Sequence, residues 1–409
     1  MRFVLLLSCL LGFAGSPAFA QADVGGGTTD AVPDVSLVTF GPGETYWERF
    51  GHDAILIGDP ANPNAQLYNY GMFDFNQENF FLNFARGRMN YRIDVQPFYG
   101  SLRFYAAERR WVYLQQLDLD AAQRRELIAY LEWNARPENA EYRYDYFIAN
   151  CATRVRDALD RASGGAIARA SKGVASGRTY RFEATRLIGP VLPFALAMDA
   201  VMGPAGDAPI DRWQQSFVPM VLMKVVDDAR LSSADGSTRP LVVHGTWILN
   251  DNTWAEPARP PQWTLPLTVL GLAFAALLLL LDRLRAFRAA RWSFALLAFA
   301  ASLKAALGGL VLLAAWGLTA HWAIWANHNL LLLDPLCLLL VPAWLMSARA
   351  TWRPRRWQRG LAVLIALLAT LSLPLLLLSG TQQNLPWIGL MLPIQLTLAW
   401  VIQRAARTD

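Results

Sequence analysis

Three cysteines and four histidines in 409 residues leave few ways to build a nucleophile. Cys9 lies in the apolar N-terminal run MRFVLLLSCLLGFAGSPAFAQA and Cys337 in a leucine-rich stretch, so Cys151 is the single thiol expected in water. It stands in YFIANCATRVRDAL, directly after Asn150. Asparagine is a good N-cap, which predicts Cys151 in the first turn of a helix, where free N–H groups and the helix dipole favour a thiolate. Val155, Ala158 and Leu159 share its helical face, whereas Arg154, Arg156, Asp157 and Asp160 point elsewhere, so the thiol faces the interior or a cleft. Such a nucleophile usually needs a histidine. His52, in YWERFGHDAILI at the start of a strand, is preferred over His244, in LVVHGTW beside a linker. A third group should orient the imidazole from the adjoining strand. Asn69 and Asp74, both in LYNYGMFDF, are the candidates, and spacing does not choose between them. Asn69 is placed with the catalytic pair, and Asp74, Asn150 and Arg154 in supporting or substrate-binding positions. The opposing reading is plain: a lone cysteine is commonly a small buried hydrophobe. No cluster has metal-ligand spacing, and neither metal nor cofactor is expected.

The elements that must position these residues read as α+β. DVSLVTF (34–40), DAILI (53–57), QLYNYGMFDF (66–75), WVYLQQLDL (111–119) and YRYDYF (142–147) are predicted strands. Asp120, with Gln123, predicts a capped helix from Ala121 that stops before Pro137. A helix is expected over 151–163 and another within 208–229. The α+β domain is expected over 34–250, followed by a proline-rich linker at 251–263.

The rest of the chain is different in kind. Arg2, an apolar run and Ala18-Phe19-Ala20 read as a secretory signal peptide over 1–20. Cys9 interrupts the apolar run too early for a lipoprotein leader. Five apolar spans are expected within 264–403: 264–281, 292–317, 330–347, 360–379 and 385–402. Alternate connections are arginine-rich (282–291, 348–359 and the tail) or free of Lys and Arg (319–329 and 379–386), as the positive-inside rule requires. That pattern predicts an inner-membrane, multi-pass protein with its catalytic domain in the periplasm and its C-terminus in the cytoplasm. The charge agrees: residues 264–409 hold twelve Lys or Arg against three Asp or Glu, while the remainder is net acidic. The basic excess belongs to the membrane half and does not indicate nucleic acid. His321, His328 and Asp334 fall near the outer face of span three, and the two histidines, seven apart, would share a face of a helix. They are candidates for a lipid headgroup or for positioning an acceptor, with a belt anchored by Trp322 and Trp325 as the alternative. Lys304, deep in span two, is expected to face a polar partner or cavity.

Four segments together carry a resemblance: TFGPGETYWERFGHDAILI, LYNYGMFDF, RGRMNYRI and YRYDYFIANCATRVRDAL. They resemble the Lnb N-terminal periplasmic domain family over most of 34–230. NHNLLLLDPL resembles a motif of the membrane domain that accompanies it, with Asp334 where Asn is expected. The resemblance implies a permuted papain-like domain, His before Cys, followed by an all-α five-span transmembrane domain. It further implies lipoprotein N-acyltransferase chemistry, with Cys151 as nucleophile, His52 as base, a phospholipid acyl donor and a lipoprotein acceptor. Two other classes remain: a cysteine hydrolase of cell-wall peptide or phospholipid, and a non-enzymatic membrane binding protein.

Overall fold

The computed structural model describes residues 32–233, 235–378 and 380–406; the expected signal peptide lies outside them. Alternating apolar side chains build an antiparallel sheet covered on both faces. Its strands are β1 (Val35–Phe40), β2 (His52–Ile57), β3 (Gln66–Met72), β4 (Asn90–Pro97), β5 (Arg110–Leu117) and β6 (Glu141–Arg143). Two small ribbons follow, β7 (Ala175–Thr179) with β8 (Pro209–Asp211) and β9 (Arg230–Ser232) with β10 (Thr238–Pro240). β11 (Val242–Asn252) returns to the main sheet, whose order is β11-β5-β1-β2-β3-β4-β6.

The helices of this half are α1 (Phe80–Ala85), α2 (Phe98–Ala107), α3 (Ala121–Asn134), α4 (Pro137–Ala140), α5 (Cys151–Ala162), α6 (Ala166–Ser171), α7 (Tyr180–Ile188), α8 (Leu192–Val201), α9 (Arg212–Gln215) and α10 (Pro219–Asp228). Successive strand residues serve opposite layers. Leu37, Ile55 and Tyr70 pack with Val155 and Leu159 of α5 and with Val225 of α10. Val38, Ala54, Leu56 and Leu67 pack instead around Phe98 of α2.

Local signals fixed several elements. Asp120 accepts from the N–H groups of Ala122 and Gln123, both at 2.8 Å, and the Gln123 side chain closes the capping box. Two expectations change. The strand over 142–147 ends at Arg143, because Asp145 accepts from the N–H groups of Phe147 and Ile148 and turns the chain. The helix expected within 208–229 is divided into β8, α9 and α10. Pro219 has no N–H to continue a helix from α9, and it starts α10. β4 and α2 were not expected, since NYRIDVQP alternates weakly.

The C-terminal half holds α11 (Thr264–Arg283), α12 (Arg288–Leu318), α13 (Cys337–Met346), α14 (Arg356–Leu375) and α15 (Leu385–Arg404). Among the described residues four helices are long and apolar enough to cross a membrane: α11, α12, α14 and α15. The expected span over 330–347 is not one of them. The chain enters it through 3-10 turns at Trp322–Ile324 and His328–Leu331, the second overlapping its start, and α13 has only ten residues. Ten residues rise about 15 Å, half of a ~30 Å hydrocarbon layer. The reason is tertiary. Side chains of Asn327 and Asn329 are engaged by carbonyls of α8, which holds this backbone out of a helix. At the other end, the Arg291 side chain reaches the Ala348 carbonyl at 3.3 Å. The segment therefore still runs from the α+β domain towards the start of α12. Lys304 is exposed on α12, on its outer surface and not turned into the bundle. The described residues from 33 to 406 form one compact unit.

Candidate functional site

The nucleophile candidate sits as its cap requires. Asn150 Oδ1 accepts from the Thr153 N–H at 2.9 Å, and Thr153 Oγ1 accepts from the Asn150 N–H at 2.8 Å. The Asn150 amide also donates to the carbonyls of Tyr146 and Phe217, at 3.1 and 2.8 Å. The cap thus ties α5 to the loop before it and to the turn before α10, and Cys151 follows as the first residue of the helix. Against it lies Gly71 on β3, with φ at +89°; a Cβ there would stand 3.4 Å from the Cys151 Cβ. That close approach, together with the positive φ, accounts for glycine.

His52 is the first residue of β2, entered through Gly51 at φ +75°. Its Nε2 lies 3.2 Å from Asn69 Oδ1. The orientation of that amide is fixed, because Asn69 Nδ2 donates to the Leu67 carbonyl at 3.2 Å. Oδ1 can only accept, so His52 Nε2 carries the hydrogen and Nδ1 keeps its lone pair. The register makes this possible: Asn69 pairs with Ala54, two residues along β2 from His52 and on the same strand face. The ring also stacks on Phe40, 5.9 Å between centroids. Burial, and to a lesser extent the charge of Arg110, lowers the imidazole pKa to about 4 despite the Asn69 bond.

The two candidates meet at one end of the sheet. The backbone N–H of Asp53, in the peptide bond that joins it to His52, is turned to the Cys151 sulfur, as are those of Ala152 and Cys151 itself. These donors favour a thiolate, but burial outweighs them and pushes the thiol up to about 12. Cys151 keeps a partly exposed edge while its sulfur is desolvated. The helix-start argument for a resting thiolate is therefore corrected: thiol and imidazole are both neutral at neutral pH. No hydrogen bond joins the thiol to the His52 ring in this resting arrangement.

Two further residues belong here that sequence reasoning missed. Asp53 is fully buried; Thr39 Oγ1 donates to its Oδ1 at 2.7 Å, and its Oδ2 has no partner. Burial raises its carboxyl well above the ordinary range, by more than the Thr39 bond lowers it. Tyr142 has a buried hydroxyl that faces the Gly71 backbone without a well-formed hydrogen bond, close enough to Cys151 for a thiolate there to raise it further. The only signal available for Asp53 was its position beside His52. For Tyr142 the run YRYDYF signals only a strand.

Other expected residues go elsewhere. Asp74 is exposed and accepts from the Asn76 N–H at 2.8 Å in a turn, so Asn69 holds the orienting position. The Arg154 guanidinium lies 4.4 Å over the Tyr142 ring. Arg156, expected to point away from the interior, is buried and donates to the Trp213 carbonyl at 2.7 Å. His244 is exposed on β11, the edge strand, and its ring engages Thr246. His321 and His328 do not share a helical face, because no helix forms there. His321 Nε2 meets the Phe84 carbonyl at 3.0 Å, and the His328 N–H donates to Gln382 Oε1 at 2.7 Å. Asp334 is buried and accepts from the Leu336 N–H at 2.9 Å, ahead of α13.

These bonds belong to a seam between the two halves. Trp322 donates to Asp145 Oδ2 at 2.8 Å and packs on Phe147 and Tyr180, so it is a plug in the domain core and not a membrane-belt anchor. Asn327 Nδ2 reaches the last carbonyls of α8, at Ala200 and Val201, and Asn329 Nδ2 also reaches Ala200. The Arg181 guanidinium pairs with buried Asp207 at 2.9 Å, and Asp199 accepts from Trp387 at 2.7 Å.

Fold and site define an α+β domain with a Cys/His/Asn constellation, docked on a bundle of apolar helices. Residues 28–183 match the family model of the Lnb N-terminal periplasmic domain. The match covers well under half of the chain and stops within α7. No curated protein and no solved structure gives a match. A periplasmic-type domain followed by four apolar helices fits a multi-pass inner-membrane protein.

Proposed function

We propose that this chain is a membrane-anchored thiol acyltransferase that takes an acyl chain from a phospholipid and passes it to an amine. The observation that carries the reading is the His52–Asn69 bond, which leaves Nδ1 as the basic nitrogen of a ring whose next residue, Asp53, turns its backbone N–H to the Cys151 sulfur. As the sulfur attacks the ester carbonyl, the S–C bond forms and His52 Nδ1 takes the thiol proton. The oxyanion is met by N–H groups of Asp53 and of the first turn of α5, which now face the sulfur. The C–O bond then breaks, and the His52 proton goes to the lysolipid oxygen. In the second half the amine attacks the thioester, the C–N bond forms, the C–S bond breaks, and the amine proton returns to sulfur through His52. The resemblance to the Lnb domain supports the α-amine of a diacylglyceryl-cysteine lipoprotein as acceptor.

The seam supports a periplasmic site at the membrane surface. Arg404 pairs with Asp282 at 3.1 Å, at the end of α11 opposite its connection to the domain. With α13 and the irregular segment before it counted as a crossing, the chain passes five times and its C-terminus is cytoplasmic. Purified full-length protein, incubated with phospholipid and a diacylated lipopeptide, should give a triacylated peptide by mass spectrometry. It should also give an acyl adduct on Cys151, and Cys151→Ala should give neither. Release of free fatty acid without triacylated peptide would replace transfer with hydrolysis, and full transfer by Cys151→Ala would end the reading.

A further inference from the structure

The stretch from Phe73 to Phe84 joins β3 to the end of α1 and carries an unusual share of exposed apolar side chains. Phe75, Phe81, Leu82 and Phe84 are all exposed, Phe81 to 75%. Scattered exposed apolar residues need no explanation, but a contiguous patch marks an interaction surface. These rings are contiguous: Phe73 meets Phe75 at 4.9 Å, Phe75 meets Phe80 at 5.1 Å, and Phe80 meets Phe81 at 5.4 Å.

The patch has a fixed height relative to the apolar helices. The Ala320 N–H donates to the Arg86 carbonyl at 2.8 Å, and His321 Nε2 meets the Phe84 carbonyl. Two residues before Ala320, Leu318 ends α12 with 76% of its side chain exposed. The exposed rings therefore continue the apolar surface of α12 beyond its end. Exposed Arg86 and Arg88 flank Gly87, which packs on His321.

The patch also leads inward. Phe73 packs on Tyr91 at 5.1 Å, and Tyr91 stacks on Tyr144 at 4.1 Å. Phe73 stands two residues after Gly71, whose backbone lies against the Cys151 side chain, and Tyr144 is near enough for a thiolate at Cys151 to raise its hydroxyl. A track of aromatic rings thus joins the outer patch to the sulfur.

We infer that the aromatic segment 73–84 enters the outer leaflet of the bilayer and that the Phe73–Tyr91–Tyr144 track admits an acyl chain of a membrane phospholipid to Cys151. The inference rests on the acyl-transfer reading and specifies where the donor enters. Rings hold the chain by apolar contact, while Arg86 and Arg88 hold the phosphate at the surface.

The test uses full-length protein in nanodiscs that contain phosphatidylglycerol with a diazirine near the end of one acyl chain. After illumination, label should appear on peptides covering 73–91 and 144–148. Phe75→Ser with Phe81→Ser should lower that label by about tenfold or more, since each ring removed loses apolar burial. Phe81→Ser alone, at a largely exposed ring, should lower it in a protein with unchanged elution and melting temperature. Label confined to α11–α15, or unchanged in the double variant, would overturn the inference. Label at the track without any acyl adduct on Cys151 upholds the portal and removes the acyl-transfer reading; adduct formation with no label there does the reverse.

Discussion

The neutral Cys151–His52 pair has a measurable consequence in the pH dependence of thiol alkylation. Burial holds the thiol at about 12 and the imidazole at about 4. A thiol near its ordinary value of 9.0 is about 1% thiolate at pH 7; at about 12 the fraction is nearer one in a hundred thousand. Iodoacetamide should therefore modify Cys151 about a thousandfold more slowly than an exposed thiol at pH 7. The rate should climb about tenfold per pH unit from pH 6 to 10, with no inflection near neutrality, because His52 does not titrate there. The rate is read by intact-mass spectrometry, with Cys151→Ala as the blank for buried Cys337. Fast alkylation with a plateau between pH 6 and 8 would mean a resting thiolate–imidazolium pair and would refute the burial argument. Formation of the Cys151 acyl adduct should behave differently, since proton transfer there accompanies attack: its rate should hold from pH 6 to 9 and fall only as His52 is protonated near 4.

Other substitutions probe the same frame. Asn69→Ala should lower kcat by about a hundredfold, within the usual range for general-base catalysis, and leave KM nearly unchanged; an equal loss in KM would point to substrate binding instead. Tyr142→Phe should keep the melting temperature and slow formation of the Cys151 adduct by about tenfold if its free hydroxyl serves the reacting oxygen; an unchanged rate would leave it a core residue. Asp53 keeps its proton when folded and loses it when unfolded, so its contribution to stability falls as pH rises from about 4 towards its raised folded pKa. Asp53→Asn removes that dependence, and its melting curves should vary less between pH 4 and 8 than those of the parent. Asn327→Ala leaves the Ala200 and Val201 carbonyls without this donor; it should cost about 1–3 kcal/mol, seen as a lower melting temperature.

What could be read in the sequence was local. A cap reaches three residues, so Asn150 and Asp120 announce their helices, and alternation announces β1 to β3. The His52–Asn69 pairing was nearly legible, because neighbouring strands with a short connection place such residues side by side. Asp53 was not: its buried state depends on α5 closing over a strand face, and α5 begins 98 residues later. Span three failed for the same reason in reverse. Its leucines fit a membrane helix, but the asparagines at 327 and 329 find their partners on α8, more than 120 residues away. A hydropathy window cannot register such a bond, and here it decides the backbone.

The seam also explains why a soluble domain alone would be a poor guide to this site. Trp322 donates to Asp145, and Asp145 accepts the N–H groups that shape the turn leading to Asn150 and Cys151. The same indole fills the space between Phe147 and Tyr180, and Phe147 packs on Phe217, whose carbonyl receives the Asn150 amide. The backbone that sets the nucleophile is thus buttressed from the membrane half. A desolvated site beside a bilayer also makes a charged resting pair expensive, because two ions would lose water for one contact. Neutral partners avoid that cost, and in the proposed acyl transfer charge would develop only when an ester carbonyl is present to receive it. Under the proposed function, anchoring and activation would be one arrangement, because Trp322 of the helical half also braces the loop that leads to Cys151.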